Sequence, residues 1–316
     1  MGFSFLRKHD KMGRSSTMYF GGCAMSTQRR AMLRMLLCAM LWSLGGMLIK
    51  LIPWNAFLIA AARSLIAGIL IFAYLRIARI PLRWNRQTLL IAIGMAGTFF
   101  SFVGATKLTT AANAIVIQYT GPLFLLAFNI LFRGQRPRPA DLLAALFSVA
   151  GICVFLLDEL GGGTLAGNLV ALLSALFFTM VLITTGDGDE TDRMNGILQG
   201  QILTAVLGLP FLFAAPPVVT GQSLLYLLAL GVFQLGVSYV LYMLALRDCP
   251  PLACSLLGMI EPLLNPVWVF LTVGEAPGLL SLAGGLFVIA VVTVYCIYNE
   301  KHPPVLARPS SGKAPG

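Results

Sequence analysis

Charge is scarce in this sequence. Of its 316 residues only 11% are Asp, Glu, Lys or Arg, while 58% are hydrophobic and the mean hydropathy is +0.86. Soluble domains carry about 25% charged residues, and packing alone cannot hide this much apolar surface from water. The chain is therefore a polytopic membrane protein. Histidine is nearly missing: His9 and His302 both lie in the tails, which excludes a membrane-embedded histidine base or histidine metal site. No apolar run holds a pair of acids for metal-diphosphate chemistry, and the GxxxxGK[ST] phosphate loop is absent, so ATP-driven pumping by this chain is not expected. Cys23, Cys38, Cys153, Cys249, Cys254 and Cys296 show no CxxC spacing and read as small core residues. Neither a cofactor site, a metal site nor a nucleic-acid module is visible. The net charge of +10 sits in short segments between apolar runs, which is the pattern of membrane topology.

About 20 apolar residues cross the hydrocarbon core as a helix. Ten such runs are expected, at 31–51, 55–77, 87–106, 110–132, 139–157, 164–184, 194–214, 223–246, 250–272 and 277–298. The breaks between them carry Gly, Pro, Asn and Asp and are short, so neighbouring helices run antiparallel. Lys and Arg concentrate in cytoplasmic loops. With both termini inside, nearly all the bases fall on the inner side, and Lys50 and Lys107 are left at outer ends, where they are expected to snorkel. The acidic stretch "GDGDETDR" at 186–193 departs from this trend and reads as a solvated loop. Residues 1–28 are polar and basic, lack the apolar stretch of a signal peptide, and are expected to form a disordered cytoplasmic tail, with Met12, Met18 and Met25 as alternative starts. Residues 299–316 form a second cytoplasmic tail.

Sliding the chain by 140 positions lays Ala105 on Ala245, Lys107 on Arg247, Pro122 on Pro262 and Phe147 on Phe287. Spans three to five thus repeat as spans eight to ten. A five-helix unit is odd, so its second copy enters from the opposite side, the inverted arrangement many secondary transporters use. The fold class expected is all-α, with ten transmembrane helices as two inverted five-helix repeats over 29–160 and 161–298. The segments "LWSLGG" with Lys50, Arg63, "QYTGPLFLLAFNILFRGQ" and "MIEPLLNPVWVFLTVGE" resemble the EamA type of the drug/metabolite transporter superfamily. The second copy fits that pattern through Glu261, Pro262, Gly274 and Glu275. In the first copy Gly121 and Gln135 stand where acids would. The resemblance implies a bacterial inner-membrane carrier. It is silent on substrate, because such proteins move amino acids, other metabolites, drugs and nucleotide sugars.

A charge at the bilayer centre costs about 2.5–3.5 kcal/mol on insertion scales. Glu261 is the acid deep within a span, and Arg63 the base. On an uninterrupted helix Cys254, Gly258, Glu261 and Asn265 share one small, polar face. Pro122, Pro262 and Pro266 remove backbone donors and free carbonyls, which membranes tolerate beside protein or a water-filled cavity. Trp42 and Ser43 in span one, Gln118 and Tyr119 in span four, and Gln234, Ser238 and Tyr242 in span eight complete a midplane binding set with Glu261 and Asn265. Glu261 is also the candidate for proton coupling, or else a buried structural acid. Arg63 either pins helices, as the resemblance implies, or binds a substrate carboxylate. With Pro122, Pro262 and Pro266 it forms the structural or gating set. The function expected is export of a small amphiphilic metabolite, such as an amino acid, by alternating access. A lipid-modifying enzyme and a channel are the alternatives, and monomer and dimer stay open.

Overall fold

The computed structural model describes residues 27–134, 138–158, 165–249, 251–275 and 278–302. Among these, regular structure is helical throughout, without strands. Gln135, the first-copy loop position, and the outer parts of both tails lie outside the described residues.

Eight stretches are long and apolar enough to cross a membrane. They are α1–α2 (Thr27–Ser43, Gly45–Leu51), α3 (Ala56–Ile77), α4 (Arg86–Leu108), α5–α6 (Ala111–Gln118, Gly121–Arg133), α8 (Leu165–Asp187), α9–α10 (Glu190–Gly208, Phe211–Ala214), α11–α12 and α13–α14. The pair α11–α12 (Gly221–Leu228, Ser238–Ala245) is joined by a π-helical segment, Ala229–Val237, and α13–α14 covers Pro251–Gly258 and Ile260–Val273. Two further helices, α7 (Pro139–Asp158) and α15 (Leu279–Lys301), occupy the places of the fifth and tenth expected spans. The shorter apolar stretch recognised within α15 is Leu282–Tyr295.

Polar caps start these helices where the sequence changes from loop to apolar run. Asn55 accepts from Phe57 N–H, Asn85 and Thr88 form a capping box, and Thr110 accepts from Asn113 N–H. Such caps satisfy amides that helix geometry leaves without partners. The interruptions have equally local causes. Helix α5 ends at Gln118, ahead of Pro122, and α13 ends at Gly258, ahead of Pro262. Proline supplies no N–H to the carbonyl four residues earlier. Both broken segments then close on a left-handed glycine, Gly134 (φ 62) and Gly274 (φ 73), 140 positions apart.

Helix α4 packs against α8 and α9. Its Ile91, Met95 and Phe99 join Ile71, Leu75, Ile197 and Leu198 in one core cluster. Lipid is as apolar as these side chains, so association rests on close packing more than on leaving water. Gly97 shows how close: a Cβ there would lie 2.4 Å from the Phe177 ring. Leu65, Ile69 and Phe72, spaced four and three apart, are exposed along α3, as a lipid-facing stripe should be.

Two expectations are corrected at the helix ends. Lys50 and Lys107 do not snorkel outward. Lys50 Nζ lies 2.7 Å from Glu275 Oε2 and donates to the Thr109 carbonyl at 2.8 Å, while Lys107 Nζ donates to the Ile52 carbonyl at 2.5 Å. Glu275 Oε1 also accepts from Ala111 N–H at 2.8 Å. Carbonyls left open at helix ends, together with this carboxylate, offer nearer partners than the interface does. At the opposite end the acidic stretch is more than solvated loop. Arg83 Nη1 pairs with Asp189 at 2.6 Å and Asp192 at 3.6 Å, and Arg247 Nε with Glu190 at 2.5 Å. The backbone N–H of Asp192, and then Arg83, hold the Asp189 carboxyl below its ordinary range. These acids join the bases of two other loops.

Candidate functional site

The break between α13 and α14 sets Glu261 in the first turn of α14. Pro262 leaves the Gly258 carbonyl without its intrahelical donor. Tyr119, at the matching break between α5 and α6, stands in: its Oη is 3.0 Å from that carbonyl and 2.7 Å from Glu261 Oε2. The expected face of four residues on one continuous helix is thereby divided, with Cys254 and Gly258 on α13 and Glu261 and Asn265 on α14.

An aromatic wall stands beside the carboxyl. Trp42 lies 5.4 Å from Tyr239 and 5.3 Å from Tyr242 between ring centroids, and Tyr239 lies 6.4 Å from Tyr242, edge to face. Phe99 backs Tyr239 at 6.1 Å. Glu261 is close enough to act electrostatically on Tyr239 and Cys38. Trp42, Gln118, Tyr119, Tyr242 and Glu261 all keep part of their surface accessible. A pocket of about 220 Å³, lined by Thr185, Glu190, Arg193, Tyr242 and Arg247 among others, reaches this wall from the acidic-loop end.

The rest of the expected binding set is enclosed, and all of it but Asn265 is engaged in hydrogen bonds. Ser238 donates to the Gln234 carbonyl at 2.5 Å. Ser43 donates to the Met40 carbonyl at 2.7 Å and accepts from Trp268 Nε1 at 3.0 Å. Gln234 Oε1 accepts from Arg63 Nη1 at 3.3 Å. Asn265 is wholly buried with neither amide atom partnered, facing Gly46, where a Cβ would lie 2.4 Å from Asn265 Oδ1. Arg63, 1% exposed, lies over the Phe99 ring at 5.5 Å. Bound to Gln234 and Phe99, it ties α3, α4 and the π-helical segment together. Pro122 starts α6, and Pro262 and Pro266 lie in α14.

Sequence reasoning passed over Tyr239, Trp268, Cys38 and Phe99. Gln234, Ser238 and Tyr242 follow steps of four, which assume an unbroken α-helix. The π-helical turn at 229–237 closes i→i+5 bonds and shifts Gln234 against α12, within which Tyr239 and Tyr242, both beside Trp42, share a face. Their spacing of three was the available signal.

The EamA-like transporter family model matches residues 29–157. The aromatic amino acid exporter YddG of Ancylobacter novellus is 26% identical over 204 residues, covering 62% of this chain and 70% of that relative. The uncharacterized inner membrane transporter YedA of Escherichia coli K12 is 27% identical over 266 residues, covering 76% of this chain and 82% of that relative. A crystal structure at 21% identity superposes with a TM-score of 0.61 over 87% of this chain and 99% of the other, which speaks to fold alone.

Proposed function

Because the chain is an EamA-type member of the drug/metabolite transporter superfamily, a membrane transporter and not an enzyme, we propose that it exports a small amphiphilic metabolite by alternating access. In this reading ten helices form two inverted five-helix repeats, both termini are cytoplasmic, and the halves rock in a bacterial inner membrane around a site between Glu261 and the Trp42–Tyr242 wall. The observation that carries the reading is the bridge between the broken helices: Tyr119 of the first half on Glu261 and the Gly258 carbonyl of the second. Helices interrupted at membrane depth are how such carriers present polar atoms to a substrate. The breaks and terminal glycines 140 positions apart support the repeat. The name of the Ancylobacter relative and the aromatic wall favour a substrate with an aromatic part.

Glu261 is the proposed coupling group. Protonated, its O–H donates to Tyr119 Oη, and Tyr119 donates on to the Gly258 carbonyl, so every polar atom is satisfied. Ionised, it draws the Tyr119 proton to itself and leaves that carbonyl open. Gain or loss of one proton therefore changes what joins the two halves, which gives the two states different free energies. The Lys50–Glu275 pair with Ala111 N–H joins the halves at one end, and the 220 Å³ pocket lies at the acidic-loop end; in the proposed topology these are the outer and cytoplasmic ends, as an inward-facing state requires.

Proteoliposomes with an imposed pH gradient test this, using radiolabelled tryptophan and tryptamine. Gradient-driven accumulation that an ionophore abolishes, and that Glu261→Gln lacks while retaining exchange, is the result expected. Equal gradient-driven accumulation by Glu261→Gln and the native chain would remove Glu261 from coupling.

A further inference from the structure

We propose that the Glu261 site takes the ammonium group of an aromatic amine, held between the carboxylate and the faces of Trp42, Tyr239 and Tyr242. This rests on the transporter reading and adds the charge type of the substrate.

The first observation is a missing counter-charge. Among the described residues Glu261 has no basic partner; its side-chain contact is the Tyr119 hydroxyl. A buried carboxylate left without a cation is costly, so the position favours an occupant that supplies positive charge. Arg63, the base at comparable depth, is enclosed and spent on Gln234 and Phe99.

The second observation is the arrangement of the rings. Trp42 meets Tyr239 at 61° and Tyr242 at 50°, and the two tyrosines are perpendicular at 90°. Rings packed at such angles offer both edges and π faces to a neighbour. Their electron-rich faces attract ammonium groups and their area suits an aromatic body.

The third observation concerns what the site does not offer. A zwitterion would bring a carboxylate to the same depth. The hydroxyls of Ser43 and Ser238 already donate to backbone carbonyls, and Gln234 already receives Arg63. The donors left beside Glu261 are neutral, among them the Gln234 amide and the tyrosine hydroxyls, and these answer a carboxylate about half as strongly as a base would. The site should therefore prefer amines to amino acids, a departure from what the Ancylobacter relative's name states of that protein.

Isothermal titration of the full chain in lipid nanodiscs, with three indole probes, tests the charge type: tryptamine (cation), tryptophan (zwitterion) and indole-3-propionate (anion). Tryptamine is expected to bind at least tenfold more tightly than tryptophan, with no detectable indole-3-propionate binding. Glu261→Gln and Trp42→Leu should each weaken tryptamine at least tenfold, and a melting temperature near that of the native chain shows each variant is folded. Glu261→Asp, which keeps the charge, should restore part of the affinity. Tryptophan binding as tightly as tryptamine, and depending on Glu261, would overturn the amine class and leave the transporter reading intact. Tryptamine binding that Glu261→Gln does not change would overturn both this site and the role of Glu261 in transport. Absence of tryptamine binding to the native chain would also overturn the proposal, and the flux experiment then judges transport separately.

Discussion

Replacing Tyr119 with Phe keeps the ring and removes one oxygen, and two acceptors depend on that oxygen. The Gly258 carbonyl would lose its substitute donor at 3.0 Å, and Glu261 would lose its partner at 2.7 Å. A buried acceptor left open costs about 1–3 kcal/mol, whereas hydrogen bonds measured within membranes average about 0.6 and reach about 1.7 kcal/mol. One hydroxyl serving two groups belongs at the upper end of that second range, so Tyr119→Phe should destabilise by about 1–2 kcal/mol. Unfolding by SDS titration in mixed micelles measures this. Pro262→Ala supplies the control, because alanine returns an N–H to the Gly258 carbonyl and makes the tyrosine hydroxyl redundant there. In that background Tyr119→Phe should cost about 1 kcal/mol less, a coupling well above the ~0.3–0.5 kcal/mol expected of independent sites. Additive effects of the two substitutions would refute the claim that Tyr119 compensates for the proline.

Gly46→Val drives side-chain carbon into Asn265 and Ala111, since even a Cβ would lie 2.4 Å from Asn265 Oδ1 and 2.9 Å from Ala111 Cβ; overpacking of this kind costs about 1–3 kcal/mol, and the same SDS titration should show it, partly relieved by Asn265→Ala. Lys50→Met removes the cation from Glu275 and opens the contact proposed to close the outer end, so a maleimide added from outside should label a cysteine placed at Ala111 several-fold faster than in the native background. Asp189 caps α9 and carries a lowered carboxyl pKa, caused first by the Asp192 N–H. Its contribution is therefore complete above the unfolded value of about 3.9 and is lost as pH falls through the lower folded value. Asp189→Ala should cost about 1 kcal/mol at pH 7, and its melting curve should converge with that of the native chain in acid.

Much of this architecture was legible because membrane sequences state their spans in composition. The apolar runs, the prolines at 122 and 262 and the depth of Glu261 and Arg63 all follow from counting. The contacts of Arg63 were not legible, since nothing local links it to Gln234, 171 positions away. Lys50 and Lys107 were misjudged for the same reason: snorkelling is the right default for an isolated base, and their partners come from other helices. Tyr239 was missed because steps of four overlook its spacing of three from Tyr242 within α12. Ser43 and Ser238 were expected to line the site, yet hydroxyls on helices return to their own carbonyls unless something better is near, and here they do.

The breaks before α6 and before α14 are alike, but only the second carries an acid, and the packing bears on the reason. At Gly121, the counterpart of Glu261, a Cβ would stand 3.0 Å from Phe178, and Thr179 donates to the Gly121 carbonyl at 3.0 Å. A side chain there would have to push the Phe178 ring aside. A second carboxylate across the break would also repel the first and prevent both from ionising together. The first copy instead contributes Tyr119, two residues before that glycine, and its hydroxyl meets both the acid and the freed carbonyl of the second. Of the two similar breaks, one carries the charge and the other the hydrogen bond that answers it. A site built this way answers to one proton or one ammonium at a time, because it holds one acid.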